Sequence, residues 1–204
     1  AGCQVHAFKA PTAYELEHDF LWRTTHHLPP RGLIGVFNRS YYEEVLAVRV
    51  HPEYLRPQQL ALPAGTALWQ QRYQSIREHE RHLCANGTTI LKFWLHVSRE
   101  EQRRRLLARI EEPDKNWKFD AGDLRERGYW RRYQQAYEAM INGTSTPWAP
   151  WHVIPADSKS WMRLLVARIV VNCLRGMKLG YPQLAPAQRA QLRSIRQQLQ
   201  KRGG

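Results

Sequence analysis

Leu33-Ile34-Gly35-Val36-Phe37-Asn38-Arg39-Ser40-Tyr41-Tyr42-Glu43-Glu44-Val45-Leu46 is the stretch on which the reading of the fold depends. Leu33 to Phe37 is a short apolar run, of the kind buried on both faces in the parallel sheet of an α/β protein. Polar chemistry starts abruptly at Asn38, Arg39 and Ser40. In an open parallel sheet, residues just past the carboxyl end of a strand line the ligand crevice. An amide, a guanidinium and a hydroxyl placed there all donate hydrogen bonds, the Arg as a fork, and this suits phosphate oxygens. Asn38 and Ser40 suit equally the plainer task of turning the chain and capping the helix that follows. The turn by itself leaves both readings open.

Working outward, Gly2 to Phe8 alternates weakly and reads as a strand ending at Lys9-Ala10-Pro11. Thr12 is placed to cap a helix over Ala13 to His27, with Glu15 completing a capping box. That helix turns Leu16, Phe20 and Trp22 toward the core and stops before Pro29-Pro30-Arg31-Gly32. Past the central stretch, a helix is expected from Tyr42 to Val48, and another from Pro63-Ala64-Gly65-Thr66 through Leu83. Thr88 to Val97 is β-rich and mostly apolar. Ser98 with Glu101 repeats the capping-box pattern, and Leu106, Leu107 and Ile110 form one stripe among Arg99, Arg103, Arg104, Arg105 and Arg109. Pro113 breaks that helix. A charged aromatic link, Asp114 to Phe119, leads to a second helix from Gly122 to Ile141, with Leu124, Tyr133 and Tyr137 among its buried positions. These two helices, about 98–142, read as a lid inserted between strands. Trp151 to Pro155 closes the sheet, a long apolar helix runs from Ser158 to Arg175, and Pro186 to Lys201 is a Gln- and Arg-rich helix. The order is that of an α/β protein with a parallel sheet flanked by helices.

The chain has 204 residues, with 31 Lys and Arg against 18 Asp and Glu and a net charge of +13. That surplus points to a polyanionic partner: nucleic acid, polyphosphate, nucleotide phosphates or an acidic membrane face. Cys3, Cys84 and Cys173 lie far apart without metal-like spacing and read as reduced thiols of a cytoplasmic protein. The longest apolar run, Leu164 to Val171, is too short to span a membrane and is interrupted by Arg168. Eight Trp and nine Tyr exclude a disordered chain. His6, His18 and His96 show no ligand spacing and read as structural. Trp117 and Trp130 could stack a nucleobase, but packing is the simpler role.

Several longer motifs occur in order: His18-Asp19-Phe20-Leu21-Trp22-Arg23, Phe37 to Leu46, Val48-Arg49-Val50-His51-Pro52, Glu101-Gln102-x-x-Arg105-Leu106, Pro113-x-Lys115-x-Trp117-Lys118-Phe119 and Ala149-Pro150-Trp151-x-x-Ile154-Pro155-Ala156. Together they resemble the polyphosphate kinase type 2 family of the P-loop kinase superfamily, over roughly Gly2 to Pro182. Asn-Arg-Ser, where many relatives carry Asp-Arg-Ser, resembles the class III subgroup that phosphorylates both AMP and ADP. The resemblance implies a three-layer sandwich with a helical lid over residues 1–182, followed by a basic tail, 183–204. It implies transfer of the terminal phosphoryl group of inorganic polyphosphate to AMP or ADP, or the reverse, with Mg2+. Polyphosphate and AMP, ADP and ATP are then the partners, a homo-oligomer is compatible, and no membrane or nucleic acid is expected.

Residue by residue, the resemblance puts Asn38 and Arg39 at the Walker B position, with Arg39 on a phosphate. Asn38 brings no negative charge, which leaves Glu43 as the family-matched carboxylate near any metal. Arg105, Arg109, Lys115 and Lys118 match the lid's phosphate-closing cations, while Arg103 and Arg104 read as a solvated face. Substrate or phosphate contacts are also implied for Lys9, Arg23 and Arg49.

One feature departs from the family. Its Gly-rich loop, of the G-x-x-x-x-G-K type, does not occur in these residues. The chain is therefore expected to be the carboxyl-terminal portion of a longer enzyme and to be inactive alone. In the superfamily strand order 2-3-1-4-5, leaving out strand 1 separates the Leu33–Phe37 strand from the Thr88–Val97 strand. A non-catalytic polyanion-binding protein is the alternative, since the basic lid and tail would serve it as well. Nucleic-acid binding rests on charge and aromatic content alone.

Overall fold

The computed structural model describes residues 2–60, 65–177, 179–180 and 183–201. In chain order it contains β1 (Cys3–Ala7), α1 (Ala13–Leu16), α2 (Trp22–Thr25), β2 (Ile34–Asn38), α3 (Ala47–Val50), α4 (Thr66–Ala85), β3 (Lys92–His96), α5 (Arg99–Glu111), α6 (Ala121–Gly128), α7 (Trp130–Thr144), β4 (Trp151–Pro155), α8 (Lys159–Gly176) and α9 (Pro186–Lys201). Short 3-10 segments cover Tyr41–Val45, Pro52–Gln58 and Pro113–Lys118. The described residues fall into two compact units that divide between Leu164 and Leu165, within α8. The expected opening of α4 at Pro63-Ala64 lies outside the described residues.

Among the described residues the named strands pair in parallel. β1 pairs with β2, Val5 opposite Val36, and β3 pairs with β4, Leu95 opposite Ile154. Among the described residues these are two separate two-stranded sheets, so the Leu33–Phe37 and Thr88–Val97 strands do not meet. β3 is shorter than the apolar run that contains it, because β4 offers only Trp151–Pro155 as a partner. The expectation that the Leu33–Phe37 run is buried on both faces fails. Ile34 and Val36 are 45% and 44% exposed, since no described element covers the face they share with Cys3 and Val5. On the opposite face Gly35 is a requirement: a Cβ there would come within 2.9 Å of the Pro29 ring.

The core is helical. Tyr41, Tyr42, Val45, Leu46, Val48 and Val50 pack with Leu68, Trp69, Tyr73 and Ile76 of α4 and with Ala136 and Met140 of α7. Burial on this scale, at roughly 25 cal/mol per Å² of apolar surface, is what holds the unit together. α7 thus contributes to the core, and the arm outside it is α5 and α6. Three expected helices are interrupted. Tyr42–Val48 divides at Leu46 into the 3-10 segment Tyr41–Val45 and α3. Ala13–His27 breaks into α1 and α2, because Asp19 Oδ1 accepts from the Leu21 N–H at 2.9 Å and starts a new turn. Gly122–Ile141 breaks at Tyr129, and Leu124, expected inside, is 68% exposed on α6. The Thr12 capping box forms in full, Thr12 Oγ1 accepting from Glu15 N and Glu15 Oε2 from Thr12 N. At Ser98 only half of it forms: Ser98 Oγ accepts from Glu101 N, but the Ser98 N–H goes to Asp157 Oδ1 at 2.7 Å.

Candidate functional site

β2 delivers the chain to a sharp turn. The Asn38 carbonyl accepts from Phe8 N at 3.0 Å, which continues the β1–β2 ladder to its last residue. Arg39 then takes φ 62°, a left-handed conformation that costs an L-residue about 1–2 kcal/mol. Ser40 Oγ accepts from Tyr42 N at 3.4 Å, so capping is the work of Ser40. The Arg39 guanidinium has no hydrogen-bond or ion-pair partner among the described residues. Strain of this kind persists only where neighbouring structure holds it in place.

That support lies directly after the turn. The Tyr41 and Tyr42 hydroxyls donate to Glu80 Oε1 at 3.0 and 2.7 Å. Lys92 Nζ donates to Glu80 Oε2 at 2.7 Å, to the Tyr42 hydroxyl at 2.9 Å and to the Thr144 carbonyl at 2.9 Å. Burial pulls the Lys92 pKa below its ordinary value and Glu80 restores part of it. Arg72 Nη1 donates to the Glu44 carboxylate at 2.7 Å and to its carbonyl at 2.8 Å. The segment after Arg39 is thereby fastened to α4, β3 and α7 through fully hydrogen-bonded buried charges, the arrangement in which such charges are tolerated.

Glu43 is the exception in this segment. Its carboxylate is half-buried with no hydrogen-bond partner among the described residues, and burial lifts its pKa above the usual carboxylate range. Arg39 opposes that rise, Glu44 adds to it and Arg23 opposes it again. Tyr137 of α7 belongs to the same neighbourhood: burial pushes its pKa up to about 12, the Glu43 charge adds to this and Arg39 counteracts it. Next to it the Tyr133 hydroxyl donates to Glu126 Oε2 at 2.8 Å, and His51 Nε2 lies 2.9 Å from the same oxygen. Burial works to raise the Glu126 pKa, but the hydrogen bonds from His51 and Tyr133 win and hold it below the ordinary value. This contact ties α6 of the basic arm to the residue that ends α3.

The sequence-derived cations take different positions. Arg23 pairs with Glu15 at 3.2 Å, donates to the Lys9 carbonyl at 3.0 Å and lies over the Phe8 ring. Lys9 itself is exposed. Arg49 leaves the Arg39 turn altogether: it donates to the Tyr73 hydroxyl and lies over the Trp69 ring. Arg105 pairs with Glu101 at 2.7 Å and donates to the Ala156 and Asp157 carbonyls at 2.7 and 3.0 Å, so it docks α5 onto the end of β4. Arg109 joins Asp123 of α6, and Lys115 joins Glu112. Lys118 has no ion pair among the described residues and sits 4.9 Å from the Trp117 ring centroid. Trp117 is 79% exposed, so the packing role expected for it is not the one it has here. Arg103 pairs with Glu100 at the surface, and Arg104, itself exposed, pairs with the buried Glu101.

No three His, Cys, Asp or Glu side chains converge to hold a metal among the described residues. Mg2+ asks for less, because it commonly takes one or two carboxylates and completes its shell with water and substrate phosphates. Glu43, half-buried and unpartnered, fits that smaller requirement. Residues missed at the sequence level are those whose partners are remote: Glu80, Lys92, Arg72 and Glu126. His51 stood inside a quoted motif, and Tyr133 and Tyr137 were placed only as core.

Parallel strands flanked by helices, with a guanidinium unpaired among the described residues on a strained backbone past a strand end and a basic helical arm, match the α/β proteins that carry ligand groups at strand ends. The profile of the family described as Polyphosphate kinase 2 (PPK2) matches residues 1–181. The chain belongs to that family. It is 55% identical to the ADP-polyphosphate phosphotransferase of Rhodopseudomonas palustris, over 98% of this chain and 70% of that protein. It is 50% identical to the AMP/ADP-polyphosphate phosphotransferase of Meiothermus ruber, over 90% of this chain and 65% of that protein. The crystal structure of polyphosphate kinase 2 from Arthrobacter aurescens TC1 superposes with a TM-score of 0.85 at 42% identity, covering 95% of this chain and 66% of that one. The chain thus spans about two thirds of the length of these relatives.

Proposed function

We propose that the chain serves phosphoryl transfer from inorganic polyphosphate to AMP or ADP, or the reverse. The observation that carries this reading is Arg39, held at positive φ past the end of β2 with its guanidinium unspent. Phosphoryl transfer asks mainly for positioning and for cations around the transferring group. In this reading Arg39 takes a phosphate oxygen, and the Tyr41–Tyr42–Glu80–Lys92 network keeps its backbone from relaxing. Glu43 is the single carboxylate that would hold Mg2+ beside the phosphates. That ion would supply charge neutralisation. Lys118, with no ion pair among the described residues to give up, and Lys115 and Arg109, at the modest cost of exchanging part-exposed partners, add cations from the arm, while Arg105 must first leave the carbonyls past β4.

The finer part of the proposal concerns the space between the sheets. β2 and β3 each leave one edge unpaired among the described residues, and unpaired apolar edges are normally covered. A parallel strand leading into a Gly-rich phosphate loop, paired to both edges, would cover them and would supply the N–H cradle that the resemblance implies. Transfer from polyphosphate to ADP, read as ATP formed with Mg2+ present, tests both parts. The assay is run on the chain alone and on the chain joined to a strand-and-loop segment of a family member. ATP from the joined protein and little from the chain alone is the expected result. Robust ATP from the chain alone would sink the cradle proposal and leave the transfer reading intact. Polyphosphate binding without transfer in either form would leave a polyanion-binding protein in its place.

A further inference from the structure

A cavity of about 490 Å³ opens among α3, α4 and α7, with Arg49, Trp69, Gln70, Tyr73, Arg77 and Asn142 in its lining. None of the residues lining it belongs to the Asn38–Glu43 turn or to the 99–128 arm. Its size falls within the range of small-ligand sites. Its chemistry is one-sided, because two guanidiniums, two carboxamides and two hydroxyls, those of Thr66 and Tyr73, line it and no carboxylate does. Neither guanidinium has a carboxylate partner among the described residues. Each spends one nitrogen on the wall: Arg49 Nη1 donates to the Tyr73 hydroxyl, and Arg77 Nη1 to the Gly143 carbonyl. The remaining N–H groups of both forks are free to meet a ligand.

Tyr73 adds an independent sign. Its side chain is 2% exposed, and its oxygen already accepts from Arg49. The hydroxyl hydrogen has no acceptor among the described residues. A buried donor left unmatched is costly, by about 1–3 kcal/mol. Burial raises the Tyr73 pKa against the pull of Arg49, which keeps that hydrogen in place. The ring is seated close against α7, where a Cβ at Gly143 would come within 2.7 Å of it.

We infer that this cavity is a second phosphate-binding site, in which Arg49, Arg77 and the Tyr73 hydroxyl hold one phosphate group of a phosphoanhydride chain away from the Arg39 turn. The choice of phosphate among anions rests on the transfer reading above. Recognition stops at phosphate, because Trp69 is buried with Arg49 over its ring and offers no open face to a nucleobase. The phosphate comes either from a remote segment of inorganic polyphosphate or from a nucleotide.

Calorimetric titration of the 204-residue chain at fixed ionic strength tests the site without any turnover, using tripolyphosphate in one arm and ADP in the other. Arg77→Gln should weaken tripolyphosphate binding roughly tenfold or more. Arg81→Gln, the same charge change at an exposed position of α4, should alter it by less than about twofold. Gln70→Glu keeps the wall intact and places a carboxylate at the mouth, so it should also weaken binding even if Arg77→Gln disturbs α7. Loss confined to the tripolyphosphate arm identifies polyphosphate as the source, and loss in both arms identifies phosphate of either kind; both support the site. Equal losses for Arg77→Gln and Arg81→Gln, or unchanged affinity in both Arg77→Gln and Gln70→Glu, would overturn it. Arg39→Ala separates this inference from the transfer reading, because it should spare binding at this cavity in the chain while removing transfer in the joined protein.

Discussion

Around the Asn38–Glu44 turn the ion pairs lie beneath the surface: Glu80 with Lys92, and Glu44 with Arg72. Along α5 and the link after it Glu100 with Arg103 and Glu112 with Lys115 lie in water, while Arg104 reaches from solvent to the buried Glu101. A buried pair stripped of one partner leaves an uncompensated charge in a poor solvent and costs about 3–5 kcal/mol, whereas an exposed pair contributes about 0–1 kcal/mol. The first set can therefore fix a strained backbone. Of the second, Lys115 can hand its charge to a phosphate chain with little loss. Arg105 stands between the two, paired with Glu101 yet bonded to two carbonyls past β4.

The largest test of this contrast is Lys92→Ala. It should lower stability by about 3–5 kcal/mol and the melting temperature by on the order of 10 °C. Arg103→Ala should stay within about 0.5 kcal/mol. Thermal melts of both variants decide it, and similar shifts would erase the distinction between the regions.

A second test moves from stability to turnover. In the form of the protein that transfers phosphate, Lys118→Ala should lower kcat/KM roughly tenfold or more without moving the melting temperature. Arg105→Ala should lower both, because it also docks α5. Arg103→Ala should change neither. Equal losses of turnover in all three would leave the arm only a diffuse electrostatic part.

The smallest effect concerns Glu43. Its folded-state pKa is raised, chiefly by burial, so the folded protein holds that proton more tightly than the unfolded chain does. Its ionisation thus removes stability as pH rises from the ordinary carboxylate value through the folded one. Glu43→Gln should melt above the parent protein at pH 7, and the gap should close toward pH 4. A gap independent of pH would place the Glu43 charge outside this balance.

Much of this was legible in the sequence wherever the determinant is local. β4 occupies Trp151–Pro155 and α9 Pro186–Lys201 as read, and the Thr12 box caps α1. The turn at Asn38–Ser40 was visible as an abrupt change of chemistry, and Ser40 turned out to cap while Arg39 stayed free. What was not legible depends on distant partners. Tyr41, Tyr42 and Lys92 converge on Glu80 across separations of 39, 38 and 12 residues, with no periodicity to announce them. Apolar content could not tell that Ile34 and Val36 lie uncovered, since burial depends on a neighbour rather than on the strand itself. Arg49 sat in a family motif, yet its place is set by Tyr73 and Trp69 on α4.

The central claim is that Arg39 is held in a strained turn to meet phosphate, and Arg39→Ala tests it most directly. Polyphosphate-to-ADP transfer and the melting temperature would be measured together on the joined protein that turns over. Turnover reduced by roughly a hundredfold or more, with a melting temperature unchanged or slightly raised, is the result expected. Turnover within about twofold of the parent, or a fall in stability matching the fall in activity, would contradict it.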